Sequence, residues 1–332
     1  MRSYILPAVV AVLLALATAC ASDSSSTART PSASPEASPA AASFSFDCEA
    51  AAAPTAPDAG AFPVEVTDSA DNAVKLEEPP QHIVSLSAGH TEILYAIGAG
   101  DQVAAVDNTS DCPSAVSELP KVDAFAPSVE QIAGLEPDLV VIFYDPGDLQ
   151  SSLQGLGIPV LNLATPESVQ GVYDQMALLG EATGHAADAA RVAGKMKEAV
   201  QDVQSRLAGG VQAPTVFHEI DTKYFSAGSG TFIGDLYGML GAANIADTTG
   251  QPYPQMSAEA IIQADPDVIV LADEDAGESP ETVKARPGWG SVSAVKNDRI
   301  YVIYPDIVSR PGPRLVEALT TLAGYVYPEL FP

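Results

Sequence analysis

Two glutamates recur in the same short pattern and are the first candidates for a chemical role. Glu130 stands in Ser-x-Glu-x-Ile-x4-Pro-Asp, and Glu259 stands in the same pattern 129 residues later. The serine of each pattern is a typical helix N-cap, which puts each glutamate at the second helical position. There the helix dipole stabilises a carboxylate by about 0.3–1 kcal/mol. This benefit explains an acid at each position but does not require Glu rather than Asp in both copies.

The histidines do not form a recognisable metal motif. No His-Glu-x-x-His sequence and no i, i+4 pair occurs among His82, His90, His185 and His218, so a preformed zinc site is unsupported. Gly228-Ser229-Gly230 lacks the Lys-Ser/Thr of a phosphate loop, and no Gly-x-Ser-x-Gly nucleophile motif exists. We therefore predict no catalytic constellation, no metal site and no cofactor, and hence a protein that is not an enzyme.

The elements that position these residues alternate between strands and helices. Seven short apolar runs of β type are separated by helical patterns; they are Ile83–Leu86, Val103–Val106, Leu139–Phe143, Pro159–Leu163, Thr215–Phe217, Val268–Leu271 and Ile300–Ile303. Strands that are apolar on both faces and alternate with helices predict parallel sheets covered by helices. Residues 62–80, which precede these runs, alternate apolar and polar around Asp-Asn and predict a β-hairpin.

The repeated pattern also indicates two similar lobes. A second echo precedes each copy, because Leu-Tyr followed shortly by Gly-Ala occurs at Leu94 and again at Leu236. Residues 166–210 are rich in Ala, Glu, Lys, Gln and Met, which favours a long helix between the copies. The predicted fold class is α/β, with Rossmann-like lobes at 62–165 and 211–332 joined by a single long helix over 166–210. A ligand cleft is expected between the lobes.

The N-terminus carries an export signal. An apolar run of about 14 residues from Tyr4 ends in Ala17-Thr18-Ala19 before Cys20, which is too short to span a bilayer and is typical of a signal peptide. A cysteine at that point is the pattern of a bacterial lipoprotein. We predict removal of residues 1–19 and lipidation of Cys20 on the extracytoplasmic face of the cell membrane; the alternative is a secreted soluble protein. Residues 20–61, rich in Ser, Ala, Pro and Thr, predict a flexible tether.

Charge and cysteine usage exclude several functions. The chain has 15 Lys plus Arg against 43 Asp plus Glu, a formal net charge of −28, which opposes binding to nucleic acid and to anionic membrane surfaces. Three cysteines in 332 residues do not make a disulfide scaffold. In an oxidising compartment Cys48 and Cys112 either pair as a disulfide or remain two free thiols.

As an ordered set, several motifs resemble the helical-backbone solute-binding proteins of ABC importers that capture vitamin B12, ferric siderophores or haem. The similar stretches are Ile83–Glu92, Leu94–Asp101, Pro127–Ile132, Glu136–Val141, Leu156–Val160, Tyr253–Glu259, Pro287–Gly290 and Ser309–Arg314. The resemblance implies a monomer that delivers a metal chelate to a permease with a cytoplasmic ATPase. In this family each lobe presents one glutamate to arginines of the two permease subunits, and the matching positions are Glu130 and Glu259.

Strand ends and the resemblance together give the candidate ligand contacts. They are His90, Phe125, Tyr144, His218, Tyr224, Tyr253, Trp289, Asp306 and Arg310. In B12-binding relatives an aromatic residue, here Tyr253, packs on the ligand, and an Asp and an Arg four residues apart, here Asp306 and Arg310, line the site. For a single aromatic the alternative is core packing, and for Arg310 it is a structural ion pair. His90 and His218 leave open axial coordination of haem or cobalt, or, with Asp221, binding of a bare metal.

The scarcity of basic residues bears on the ligand. Catecholate siderophores are strongly anionic and need several cations in the cleft, whereas the sequence offers mainly Arg286, Arg310 and Arg314. We therefore favour a neutral corrinoid or a hydroxamate-type ferric siderophore, with vitamin B12 slightly ahead. The alternatives are a haem-binding or metal-ion-binding protein of the same fold and, less favoured, an extracytoplasmic sensor or enzyme.

Overall fold

The structure is a computed structural model that describes residues 44–50, 52–210 and 213–332. The predicted signal peptide, Cys20 and the tether up to residue 43 lie outside the described residues. Within the described ranges, every helix is too short or too polar to cross a membrane.

The N lobe begins with the predicted hairpin, β1 (Val64–Thr67) and β2 (Ala73–Leu76), which pair antiparallel. A five-stranded parallel sheet follows, in the order β5-β4-β3-β6-β7. Its elements are β3 (Ile83–Ser85), α1 (Ala88–Ala96), β4 (Val103–Asp107), β5 (Lys121–Val122), α2 (Val129–Ala133), β6 (Leu139–Ile142), α3 (Leu149–Gly155) and β7 (Val160–Asn162). All residues of β3 and β6 are buried, as expected for central strands covered on both faces.

The segment between the lobes differs from the prediction, because residues 166–210 form two helices instead of one. Helix α4 (Val169–Thr183) ends at Gly184, whose φ of +81° is the left-handed conformation that stops a helix. Helix α5 (Ala186–Leu207) then packs back against α4. Helix α4 contacts both lobes, through α1 on one side and α6 (Phe232–Met239) on the other.

The C lobe contains a four-stranded parallel sheet in the order β11-β10-β8-β9. Its elements, besides α6, are β8 (Thr215–Glu219), β9 (Ala243–Asn244), α7 (Ala258–Ala264), β10 (Val268–Leu271), α8 (Pro280–Ala285), α9 (Ser293–Lys296), β11 (Ile300–Val302), α10 (Pro305–Ser309) and α11 (Leu315–Val326). The strand order reverses between β3 and β6 in the N lobe and between β8 and β10 in the C lobe. Such switch points are where open α/β sheets bind ligands.

The predicted tether is too long at its C-terminal end, because its last residues belong to the folded body. Cys48 forms a disulfide with Cys112 of the N lobe, and Phe46 is buried in the main apolar core. The backbone N–H of Thr55 donates to the carbonyl of Gly98 at 3.0 Å. We call residues 44–50 and 52–62 the strap. Its aromatic and cysteine anchors overcome the low hydrophobicity that predicted a solvated segment.

Candidate functional site

The N lobe presents an aromatic surface at the carboxyl end of β6. The rings of Phe143 and Tyr144, directly after this strand, lie 4.6 Å apart between centroids, and Phe125 lies 5.9 Å from each. Phe125 is 67% exposed, which is unusual for a large apolar side chain inside an aromatic group. This trio gives the N lobe an aromatic cluster at its switch point, with ring planes inclined to one another by 38° to 78°.

The C lobe adds exposed aromatic side chains of its own. Tyr253 and Tyr304 are each 53% exposed, and Tyr224 is half-buried in the loop after β8. Tyr224 has a φ of +64°, a left-handed conformation that is strained for a bulky residue and often marks a functional loop. The loop is held by the N–H of Met256, which donates to the Tyr224 carbonyl at 3.0 Å.

Arg310 links the two lobes through ion pairs. Its guanidinium contacts Asp111 of the N lobe, pairs with Asp306 at 2.7 Å, and lies 3.7 Å from Glu92. The structure thus brings the predicted Asp306 and Arg310 together, but as partners of one another. Arg310 therefore acts as a structural ion pair in this conformation, which is the alternative weighed for it.

A second arginine forms a buried link between the lobes. Arg314, at the start of α11, donates to the carboxylate of Glu92 in α1 at 3.0 and 2.5 Å, and both side chains are almost completely buried. Burial raises the pKa of Glu92, and the hydrogen bonds and charge of Arg314 oppose that rise. Sequence reasoning listed Arg314 only as a cleft cation and missed its role in joining the lobes.

The third arginine of the cleft, Arg286, lies between carboxylates and aromatic rings. It makes a bidentate contact with Glu219 at the end of β8 and donates to Glu278 at 2.6 Å. Its guanidinium also lies over the rings of Tyr224 and Trp289, at 5.0 and 4.6 Å from the centroids. Each of the three arginines named from the sequence is thus already paired with at least one carboxylate.

Trp289 lies in the core of the C lobe and not on an exposed wall. Its side chain is 1% exposed and packs against Phe217 of β8 with ring centroids 6.4 Å apart. The prediction of a ligand contact from this residue did not anticipate that burial. The surrounding sequence, Pro-Gly-Trp-Gly, does not indicate whether the Trp side chain is buried in the core or lines a cleft.

His90 and His218 are also buried, each within its own lobe. Nε2 of His90 lies 3.0 Å from Oε1 of Gln175, and Nδ1 of His218 lies 2.9 Å from the hydroxyl of Tyr237. Burial lowers the pKa of both imidazoles to about 4, so both are neutral at pH 7. Within the described ranges, no three His, Cys, Asp or Glu side chains are grouped to hold a metal ion.

Asp273 is a polar residue at the C-lobe switch point that sequence reasoning missed. It follows β10, is 5% exposed, and neither of its carboxylate oxygens has a hydrogen-bond partner in the described part of the chain. Burial, aided by the charges of Glu219 and Glu278 and opposed by Arg286, raises its pKa from 3.8 to about 7. The internal repeat could have identified this position, because its offset of 129 residues makes Asp273 the equivalent of Tyr144 in the N lobe.

We expect the Asp273→Asn substitution to stabilise the protein at alkaline pH. Because the native pKa lies above the unfolded value, the native state loses stability as the pH rises from about 4 through about 7. A shift of this size corresponds to about 2–4 kcal/mol. Melting temperatures of the variant should therefore exceed those of wild type at pH 8 and converge toward acid pH.

The exposed Asp275 on the same turn provides the control for Asp273. The Asp275→Asn variant removes an exposed carboxylate from the same turn and should leave the melting temperature at pH 8 unchanged. An Asp273→Asn variant with an unchanged pH dependence would contradict a buried, protonated carboxyl at this position.

The repeated glutamates occupy the predicted helix positions. Ser128 and Ser257 cap α2 and α7, and each hydroxyl oxygen accepts the N–H three residues later at 3.1 Å. Glu130 and Glu259 are exposed, and no salt bridge involves either one within the described ranges. The Glu130 carboxyl accepts from its own N–H and from the Ser128 hydroxyl, which lowers its pKa.

The other repeated residues have structural roles, which sets the glutamates apart. Ile132 and Ile261 are fully buried. Asp138 accepts the N–H of His82 at 2.8 Å, as Asp267 accepts that of Thr215 at 2.8 Å. The fold therefore explains the shared Ser, Ile and Asp of the pattern, but it does not explain the choice of an exposed Glu in both copies.

Residues 83–307, which cover most of both lobes, match the family described as periplasmic binding protein. The chain belongs to the periplasmic binding protein family. An uncharacterised ABC transporter substrate-binding lipoprotein of Bacillus subtilis (strain 168) is 34% identical over 279 residues, which are 81% of this chain and 87% of that protein.

Two solved structures connect this family to metal chelates. The periplasmic vitamin B12-binding protein of Vibrio cholerae has a TM-score of 0.66 and 26% identity, and the match covers 75% of this chain and 97% of that one. The apo haem-binding protein of Roseiflexus sp. RS-1 has a TM-score of 0.68 and 25% identity, and its match covers 75% and 99%. The two-lobe α/β architecture predicted from the sequence is confirmed for this member of the periplasmic binding protein family.

Proposed function

We propose that this periplasmic binding protein captures a corrinoid, with vitamin B12 as the best candidate, and delivers it to an ABC permease. The observation that carries the choice of ligand is the state of the cleft arginines. Arg286, Arg310 and Arg314 are each paired with carboxylates of the chain. An anionic ligand would have to displace those partners before it gained an ion pair.

Because the three arginines are already paired, they disfavour anionic chelates more than neutral ones. Haem carries propionates and catecholate siderophores carry several negative charges, so both need cations that are free to bind them. A corrinoid presents a large flat ring system edged by neutral amides. Aromatic surface with a few polar groups suits such a ligand. The exposed Phe125 and Tyr253 and the half-buried Tyr144 and Tyr224 support this choice. These four are the contacts we propose.

The remaining features fit a lipid-anchored importer component. The predicted lipidation of Cys20 and the residues up to 43 would hold the lobes near the extracytoplasmic membrane surface as a monomer. Exposed Glu130 and Glu259 would dock on basic sockets of the two permease subunits. The proposed role is binding and delivery, without catalysis. The proposed boundaries remain 62–165 and 211–332 for the lobes, with the strap added to the first.

We expect cyanocobalamin to stabilise the purified protein against heat. A ligand at one hundred times its Kd adds about 2.7 kcal/mol to the native state, which for a protein of this size corresponds to a rise in melting temperature on the order of 5 °C. Haemin, a ferric catecholate and a ferric hydroxamate complete the panel. A shift with haemin or the catecholate and none with cyanocobalamin would overturn the choice of ligand.

A single substitution connects this stabilisation to the proposed contacts. Tyr253→Ala should weaken cyanocobalamin binding about tenfold, because stacking and buried area are both lost. Leu156→Ala is the matched control, since Leu156 is 60% exposed but precedes β7, at the opposite end of the sheet. Equal effects of the two substitutions would contradict the placement of the ligand at the carboxyl ends of the strands.

A further inference from the structure

The ring of Tyr224 rests on a support made by Arg286 and Trp289. The guanidinium of Arg286 lies 5.0 Å from the centroid of the Tyr224 ring and 4.6 Å from that of Trp289. The two rings lie 5.7 Å apart between centroids, with their planes inclined by 36°. Trp289 is itself fixed, because its buried side chain packs against Phe217 of β8. One cation and one aromatic ring therefore hold Tyr224 in place.

The left-handed backbone of Tyr224 makes this support important. Its φ of +64° is unfavourable for a bulky side chain. The N–H of Tyr224 donates to the carbonyl of Asp221, and the N–H of Met256 donates to the carbonyl of Tyr224, each at 3.0 Å. These bonds fix the main chain of the loop but not the direction of the side chain. That direction depends on the contacts with Arg286 and Trp289.

Two carboxylates hold Arg286 in this position. Both terminal nitrogens of its guanidinium contact Glu219 at the end of β8, and one of them also donates to Glu278, before α8, at 2.6 Å. The side chain of Arg286 is 10% exposed and that of Glu219 is fully buried. Because little water screens such a site, a further charge nearby acts strongly on the ion pairs. The position of Arg286 therefore depends on the charges around it.

Asp273 is the group that can add such a charge. It follows β10, which pairs with β8 in parallel, so it lies at the same end of the sheet as Glu219. The charged groups that act on it are Glu219, Glu278 and Arg286; burial and the two glutamates raise its pKa to about 7, and Arg286 opposes the rise. Neither oxygen of its carboxyl has a hydrogen-bond partner in the described part of the chain. Arg286 must therefore move if it is to pair with an ionised Asp273.

We infer that Arg286 is a positioning residue for Tyr224, and that the charge of Asp273 controls this positioning, so that the chelate binds more tightly when Asp273 is neutral. The inference rests on the proposed function, in which Tyr224 contacts a corrinoid. When Asp273 ionises, a third carboxylate competes for the guanidinium and repels both glutamates. The displaced guanidinium then no longer supports the ring. A tyrosine that is free to turn binds a flat ligand less tightly, because binding must order it.

The Kd of the purified protein for cyanocobalamin, measured at pH 5 and pH 8, tests this inference. In the wild type the Kd should rise about fivefold from pH 5 to pH 8, which is the size of one lost aromatic contact. Asp273→Asn should keep the low Kd at pH 8, because its side chain stays neutral. Asp275→Asn removes an exposed carboxylate from the same turn and is the matched control; its Kd should equal that of the wild type at both pH values.

A Tyr224→Ala background tests whether the effect passes through Tyr224. This variant should bind cyanocobalamin about fivefold more weakly than the wild type at pH 5, and the addition of Asp273→Asn should then change nothing at pH 8. A wild-type Kd that is constant or falls as the pH rises, or an effect of Asp273→Asn that persists without Tyr224, would overturn this inference and leave the corrinoid proposal intact. Absence of cyanocobalamin binding at both pH values would overturn both.

Discussion

Reversal of both docking charges, Glu130→Lys with Glu259→Lys, is expected to abolish uptake of the chelate and to leave its affinity for the purified protein unchanged. Both side chains are exposed at the second position of a capped helix, away from the core. A lysine at a helix N-terminus destabilises it by only about 0.3–1 kcal/mol, so the variant should fold. Against the basic permease sockets proposed above it would replace two attractions by two repulsions, and like charges at an interface weaken association strongly.

A third glutamate provides the control for this experiment. Glu281 also stands at the second position of a helix with a serine cap, so Glu281→Lys has the same effect on the helix dipole outside the repeat. Transport assays in cells that lack the native protein, together with a Kd for the purified variants, separate the possibilities. A large loss of chelate affinity in the double variant, or equal loss of uptake with Glu281→Lys, would rule out docking by the repeated pair.

Removal of Arg314 is expected to destabilise the whole protein by about 3–5 kcal/mol. The Arg314→Met substitution leaves the buried Glu92 with only Arg310, 3.7 Å away, and a poorly compensated buried charge is far more unfavourable than a lost surface pair. Burial already raises the pKa of Glu92, and the loss of Arg314 raises it further. Because the pKa of Glu92 is raised, the variant should lose stability as the pH rises above the ordinary range of a glutamate and regain part of it in acid.

Two further variants make the test of the Glu92–Arg314 pair specific. Arg206→Met breaks an exposed i, i+4 pair with Asp202 and should lower the free energy of unfolding by only about 0.3–0.5 kcal/mol. The double substitution Glu92→Met with Arg314→Met removes both charges and should recover most of the loss. Chemical denaturation at pH 5 and 8 measures all three. A loss below 1 kcal/mol in Arg314→Met would mean that Glu92 is solvated or differently paired.

Local chemistry explains what the sequence predicted well. Each of the seven strand predictions matches an observed strand, because strands of a parallel sheet covered by helices must be apolar on both faces. The serine caps and the second-position glutamates followed from side-chain hydrogen bonding within four residues. The two strands that were missed, β5 and β9, contain two residues each, too few for any periodicity.

Long-range partners explain what the sequence did not predict. The composition of the strap is typical of a solvated tether, but Cys48 forms a disulfide with the distant Cys112 and Phe46 packs in the core. Gly184 is a local cause that composition does not reveal: its left-handed conformation ends α4, so a segment of uniformly helical composition forms two helices. Trp289 and Tyr253 are both aromatic residues in segments that contain proline, so the sequence does not separate a core residue from an exposed one. In the structure Trp289 is 1% exposed and Tyr253 is 53% exposed. Asp273 becomes a distinctive group only when the fold places Glu219 and Glu278 beside it.

The internal duplication has a consequence for stoichiometry and symmetry. A single chain that displays the same carboxylate on each of two similar lobes is a bivalent ligand, so its second contact with a two-subunit partner forms at an effective concentration near the millimolar range. Two individually weak contacts then give useful avidity, and they still release the carrier quickly when either one is broken. One such glutamate on each lobe would also let a permease built from two identical subunits present two identical sockets to a monomeric carrier.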